Sequence, residues 1–248
     1  MSTIYTHASS NIRKTWLYLS LFFVLIIGVF WLFSYAYSNP AILWFGVALS
    51  IVMNVASFWY SDKIVLAMSK AKPIDRRDNQ ELYRVVENLA ITAGLPTPRI
   101  YVIDDPAPNA FATGRDAKHA VVAVTTGLLQ RLDRPELEGV IAHELSHIGN
   151  RDMLISTVVV VLAGIIAIVS DIFLRMTWFG GMSSNDRDNR AGAILMAAAL
   201  IGAILAPIAA MLIRLAISRR REFLADASGV LLTRYPEGLA KALEKIAV

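Results

Sequence analysis

The alternation of apolar and polar positions divides the chain into two textures. Residues 16–37 carry no charge over a length that matches a hydrocarbon core of ~30 Å. A second uncharged run, 41–61, follows after only Ser38-Asn39-Pro40. A third, 153–174, has Asp171 near its far end and Arg175 one turn on as its expected partner. The fourth is 191–213. Apolar runs of this length are what a bilayer demands of a spanning helix, so all four are read as transmembrane helices rather than buried core helices. The first is read as retained, not as a cleaved signal peptide: its apolar region is too long, no small-residue cleavage site follows, and a second span comes at once. In the fourth run Ala198, Gly202, Ala206 and Ala210 recur every four residues, a stripe suited to close helix packing, and Pro207 is placed to kink it.

Between the second and third runs the pattern changes. Leu82, Val85, Val86, Leu89 and Ala90 fall at helical spacing within 79–93, and Gly94 is positioned to cap that helix. Leu95-Pro96-Thr97-Pro98 is a rigid connector. Short strands are predicted at 99–103, 109–114 and 120–125, with turns at Asp105-Pro106 and Arg115-Asp116. A further helix starts at Asp133 as N-cap, with Pro135 in its first turn and Glu136 at capping-box spacing. Leu137, Val140, Ile141 and Leu145 give it a buried side, and Gly149-Asn150 ends or bends it. The segment 62–152 therefore reads as a small α+β unit with a compact sheet. There is no internal repeat; 180–189 is a polar loop.

Composition agrees with a membrane protein. The chain is 56% hydrophobic with mean hydropathy +0.52, too apolar for an ordinary soluble domain. Arg13 and Lys14 precede the first span, Lys63, Lys70 and Lys72 follow the second, and Arg214, Arg219, Arg220 and Arg221 follow the fourth. The turn at 38–40 is uncharged and the loop after the third span is nearly balanced, so both termini and 62–152 are expected on the cytoplasmic side. The formal charge of +4 reflects these juxtamembrane residues, which suit anionic headgroups, and no nucleic-acid signature is present. With no cysteine, any zinc must be held by nitrogen and oxygen.

The candidate chemistry is His143-Glu144-Leu145-Ser146-His147, which uses two of only four histidines. On a helix, residues four apart share a face, so both imidazoles can reach one Zn²⁺ while Glu144 stands ready to take a proton from the attacking water. Two histidines leave a catalytic zinc one protein ligand short, and no histidine follows His147. The downstream acids on the same expected side are Glu222, Asp226, Glu237 and Glu244. Glu222 and Asp226 lie four apart on a predicted helix; one can bind the metal while the other accepts a hydrogen bond from a ligand imidazole. Two intervening spans return the chain to its starting side. His7 and His119 show no evident partner and are read as surface residues.

Four segments, Asn109-Ala110-Phe111-Ala112-Thr113-Gly114, 122–129, 140–150 and 218–226, in this order around four spans, resemble the HtpX family of bacterial membrane zinc endopeptidases, relatives of the CAAX prenyl endopeptidases. The resemblance implies one Zn²⁺ on His143, His147 and Glu222, with Glu144 as general base and Asp226 supporting a ligand. It also implies membrane-protein quality control under stress at the bacterial inner membrane, with misfolded membrane proteins as substrates. Members of that family usually continue for several tens of residues, whereas this chain stops mid-helix by pattern, so a truncated C-terminus is expected.

The fold class expected is a mainly α membrane protein: four transmembrane helices plus a small cytoplasmic α+β catalytic domain of the zincin (gluzincin) type. Its parts are a cytoplasmic N-terminus (1–15), a transmembrane hairpin (16–61), the catalytic domain (62–152), a second hairpin (153–213) and a cytoplasmic segment with the third ligand (214–248). The function expected is hydrolysis of peptide bonds at the cytoplasmic face, with substrate lying extended along the strand at Asn109, Ala110 and Phe111. A metal transporter and a non-catalytic adaptor with a structural zinc are the alternatives. The ligand set falls outside the spans, against the first, and three protein ligands leave an open fourth position, against the second.

Overall fold

The computed structural model describes residues 4–36, 38–180, 201–205, 207–212 and 219–247. Its contacts divide the chain into two units. One comprises Met1–Arg13, Trp59–Thr157 and Ile217–Val248; the other comprises Lys14–Phe58 and Val158–Ala216.

The apolar unit is built on helices α1 (Ile4–Ala36), α2 (Pro40–Trp59) and α7 (Met153–Gly180). α1 begins well before its apolar run. Asn11–Tyr35 and Pro40–Trp59 have the length and hydropathy of membrane spans, and α7 is a third candidate if counted with the helix before it. Ser38 takes positive φ in the tight turn after α1. Trp16 stacks on Phe58 at 5.7 Å and Phe30 meets Phe45 edge-on at 5.8 Å, so large rings hold α1 to α2. Gly46 lies flat against Phe30, where any side chain would overlap the ring. Asp171 and Arg175 pair at 2.7 Å as expected from their spacing. Ser170 Oγ donates to the Gly202 carbonyl at 2.9 Å, joining α7 to the helical residues 201–205. The loop at 180–189 falls almost wholly outside the described residues, as do the first part of the fourth apolar run, Ala198 and Ala206.

The second unit holds the sheet. β2 (Arg99–Ile103) runs parallel to β4 (Val121–Thr125), and β3 (Ala110–Thr113) pairs antiparallel with β4 on its other side. A two-residue strand that the pattern did not suggest, β1 (Lys72–Pro73), adds to β2, giving the order β1-β2-β4-β3. β4 is central and buried along its whole length, which explains its unbroken apolar run. Its side chains alternate between faces: Val122 and Val124 pack with α4 (Gln80–Thr92) and α6 (Arg134–Gly149), whereas Val121 and Ala123 pack with Leu66 of α3 (Ser61–Met68). β3, with no partner on its outer side among the described residues, is an edge.

Local chemistry sets the helix ends. Asn79 accepts from Leu82 N–H at the start of α4, and Gly94 at φ +66° lets Leu95 N–H reach the Ala90 carbonyl at its end. β4 leads through the Thr125 cap into α5 (Thr126–Arg131). Asp133 and Glu136 form a complete capping box on α6. Beyond α8 (Arg219–Thr233), α9 (Pro236–Ile246) lies across the start of α6. Contact is backbone to backbone at Gly139, where a Cβ would sit 2.6 Å from the Leu239 nitrogen.

Glu136 also receives Lys245 Nζ from α9 at 2.6 Å. Burial pushes its carboxyl upward, but the Lys245 ammonium and the cap backbone outweigh this and hold it below the usual glutamate value. A depressed folded pKa adds stability that is complete above the unfolded value, about 4.3, and lost as pH falls through the folded one. Glu136→Gln should therefore lower the Tm at pH 7 by roughly 2–4 °C, and the gap from wild type should close below about pH 4. A gap that widens in acid would contradict this assignment.

Candidate metal centre

α6 carries His143 and His147 one turn apart on a single face, and their Nε2 atoms lie 3.1 Å from each other. Glu222 comes from α8, with its Oε2 3.5 Å from His143 Nε2 and 3.7 Å from His147 Nε2. The Nδ1 edges face the other way. Asp226 Oδ1 accepts from His143 Nδ1 at 2.8 Å, and the Asp152 carboxylate lies 3.1 and 3.2 Å from His147 Nδ1. Each ring therefore keeps its hydrogen on Nδ1 and aims the Nε2 lone pair at the same point.

The donor set fits zinc. A tetrahedral ion with bonds of about 2.0–2.2 Å needs donors roughly 3.3–3.6 Å apart, close to the triangle formed by His143, His147 and Glu222. Two lone pairs and a carboxylate converging at this range also call for a cation between them. The electrostatics say the same. Burial works against charge on both imidazoles, yet the Asp152 and Glu222 carboxylates push His147 up to about 10, and Glu222 chiefly raises His143. The two imidazoles beside it hold Glu222 well below the usual carboxylate range. Among the described residues this is the one group of three or more His, Asp or Glu arranged to hold a metal.

Glu144 points toward the sheet. Its Oε2 accepts from the Ala112 N–H of edge strand β3 at 2.8 Å, and burial pushes its carboxyl upward against the pull of the two imidazoles. Of the strand positions considered for substrate, Asn109 spends its backbone on Thr125, whose N–H it receives and whose Oγ1 it donates to. Ala110 and Phe111 lie within β3 opposite Val124 and Ala123.

Two contributors escaped the sequence pattern. Asp152 reaches His147 because α6 ends in a tight reversal: Arg151 takes φ +54° and Asp152 N–H returns to the His147 carbonyl at 3.3 Å. The only signal is an acid five residues after the second histidine, which helical spacing does not place near the ring. Gly229 is the other. It lies on the Glu222–Asp226 face of α8, and a Cβ there would stand 3.0 Å from the His143 backbone nitrogen, so its bareness lets α8 approach α6. Asp152→Ala should weaken zinc binding by about 10–100-fold while the fold persists, as read by competition with a chromophoric chelator. Unchanged affinity would remove Asp152 from the site. His119, expected to lack a partner, instead lies 2.7 Å from Asp116 Oδ1 and 2.8 Å from Arg115 Nη2.

The model of peptidase family M48 matches residues 76–247, which include every residue of this centre. The chain belongs to that family. It is accordingly a metalloprotease. A Protease HtpX homolog of Caldanaerobacter subterraneus is 45% identical over 98% of this chain and 83% of its own length. One of Thermococcus sibiricus is 49% identical over 93% of this chain and 78% of its own length. Among solved structures, S. mikatae Ste24p superposes with a TM-score of 0.53 at 21% identity, over 94% of this chain and 59% of that one, a likeness of fold.

Proposed function

We propose that this M48 metalloprotease is an endopeptidase that hydrolyses extended polypeptide at the cytoplasmic face of the bacterial inner membrane, with zinc on His143, His147 and Glu222. The observation that supports it most is the convergence of these three donors beside Glu144, itself tied to a sheet edge. Zinc, when bound, lowers the pKa of water toward ~7 and polarises the scissile carbonyl. Glu144 accepts the proton of the attacking water and delivers it to the leaving amine, a task its raised pKa suits. Asp226 and Asp152 hold the two rings with Nε2 inward. Because alternate residues of a strand present their backbone groups to one side, Ala110 offers its N–H and carbonyl on the outer edge of β3 for pairing with substrate main chain, and Ala112 its carbonyl, its N–H being taken by Glu144. Such pairing makes little demand on side chains, as misfolded membrane proteins would require.

The basic residues around the spans support four crossings with both termini and the catalytic unit on the cytoplasmic side. The test is cleavage of a casein-type substrate by the detergent-solubilised chain. Activity is expected to vanish with a chelator and return with added zinc. Cleavage that persists after full metal removal would overturn the assignment.

A further inference from the structure

Away from the metal centre, in the same unit, lies a pocket of about 260 Å³. Its walls come from three places: Trp59 and Tyr60 at the end of α2, Asp62 and Lys63 at the start of α3, and Arg99 with Arg115 and His119 from the sheet and the loop after β3. None of the residues that build the metal centre lines it.

Three cations face it against one carboxylate. Asp62 is buried and paired with Arg99 at 3.0 Å through one guanidinium nitrogen. The Arg115 guanidinium lies over the Trp59 ring at 4.6 Å and the Lys63 ammonium over the Tyr60 ring at 5.1 Å, so both heads are held by aromatic faces. Asp116, behind Arg115 at 3.4 Å, is occupied by the Lys118 and His119 backbone N–H groups and the His119 ring. Gly114 makes the loop possible: at φ +139° it passes so close to His119 that a Cβ would sit 2.6 Å from the carbonyl oxygen. The fold thus gathers two guanidinium groups, Arg99 held by Asp62 and Arg115 by His119 at 2.8 Å, and an ammonium around one cavity.

We propose that this pocket binds a phosphate group. A tetrahedral anion with several acceptor oxygens can use the remaining N–H groups of two guanidiniums and an ammonium at once, which a single carboxylate cannot. Its source is either an anionic lipid headgroup or free phosphate. The setting favours the lipid: Trp59 is the last residue of a span-length apolar helix, and Trp, Tyr and Lys at such a helix end are the side chains that sit at headgroup level.

The test measures binding to the full chain in uncharged detergent, by native mass spectrometry or ligand-induced Tm shift. The probes are dihexanoyl phosphatidic acid, dihexanoylglycerol, inorganic phosphate and glutamate. Phosphatidic acid or phosphate is expected to bind, with dihexanoylglycerol and glutamate far weaker. Lys63→Gln and Arg115→Gln should each weaken the phosphate-bearing probes roughly tenfold while zinc content and unliganded Tm stay at wild type. Should Arg115→Gln disturb the fold, Lys63→Gln alone decides. Phosphatidic acid binding well above inorganic phosphate assigns the headgroup; equal binding assigns free phosphate. Dihexanoylglycerol or glutamate binding as tightly as the phosphates, or phosphate affinity untouched by Lys63→Gln, overturns the site.

Discussion

Glu144→Gln is expected to leave zinc bound and to lower the rate of peptide cleavage by about 10²–10⁴-fold. Glutamine keeps the shape of the side chain and contributes no metal donor in the triangle, so the three ligands are untouched. What is lost is a group that can hold a proton between the attack of water and the departure of the amine. The Ala112 N–H that Glu144 receives also survives, because the glutamine oxygen can accept it. Placement of the edge strand should therefore be unchanged, and the loss should appear in kcat with KM largely preserved. Residual cleavage near the wild-type rate in a metal-replete Glu144→Gln preparation would refute the assignment.

Glu222→Ala is expected to lose zinc rather than turnover alone. It removes one corner of the donor triangle and leaves two neutral imidazoles, 3.1 Å apart at Nε2, without the one anionic donor that offsets the charge of a dication. Affinity should fall by more than the ~10–100-fold expected for a supporting residue such as Asp226. Bound-metal stoichiometry by elemental analysis in wild type, His147→Ala and Glu222→Ala checks this. Full occupancy in the Glu222→Ala form would take Glu222 out of the ligand set. Gly229→Val offers a way to the same centre without touching a ligand. Its branched side chain meets the α6 backbone and must shift α8, carrying Glu222 and Asp226 off the histidines.

Much of this architecture is written in short-range pattern. The helix at α6 is legible because Asp133, Pro135 and Glu136 form a cap from neighbouring residues, and the histidine pair because four residues make one turn. The strands of the sheet were legible as β-rich runs between turn residues, except β1, whose two residues are too short for any periodicity. Glu222 was readable only with the histidines already in hand: by itself it is an acid beside three arginines. Asp152 was not readable, since the residue after a helix end falls wherever the reversal sends it, and the reversal here runs through a non-glycine residue at positive φ. His119 is exposed, as its surface reading expected, but its partners were not readable for a similar reason, being set by a loop that Gly114 folds back on itself.

The amino-acid sequence by itself determined the contiguous features: span-length apolar runs, the capped helix, and two imidazoles on one face with a glutamate between them. These depend on helical pitch and bilayer thickness, which act on neighbouring residues. Only the tertiary structure decided which acid closes the metal triangle, which carboxylates steady the rings and which cations share a pocket. Those outcomes depend on how closely α8 can lie on α6 and how loops return to the sheet, distances set by packing between residues far apart in the chain.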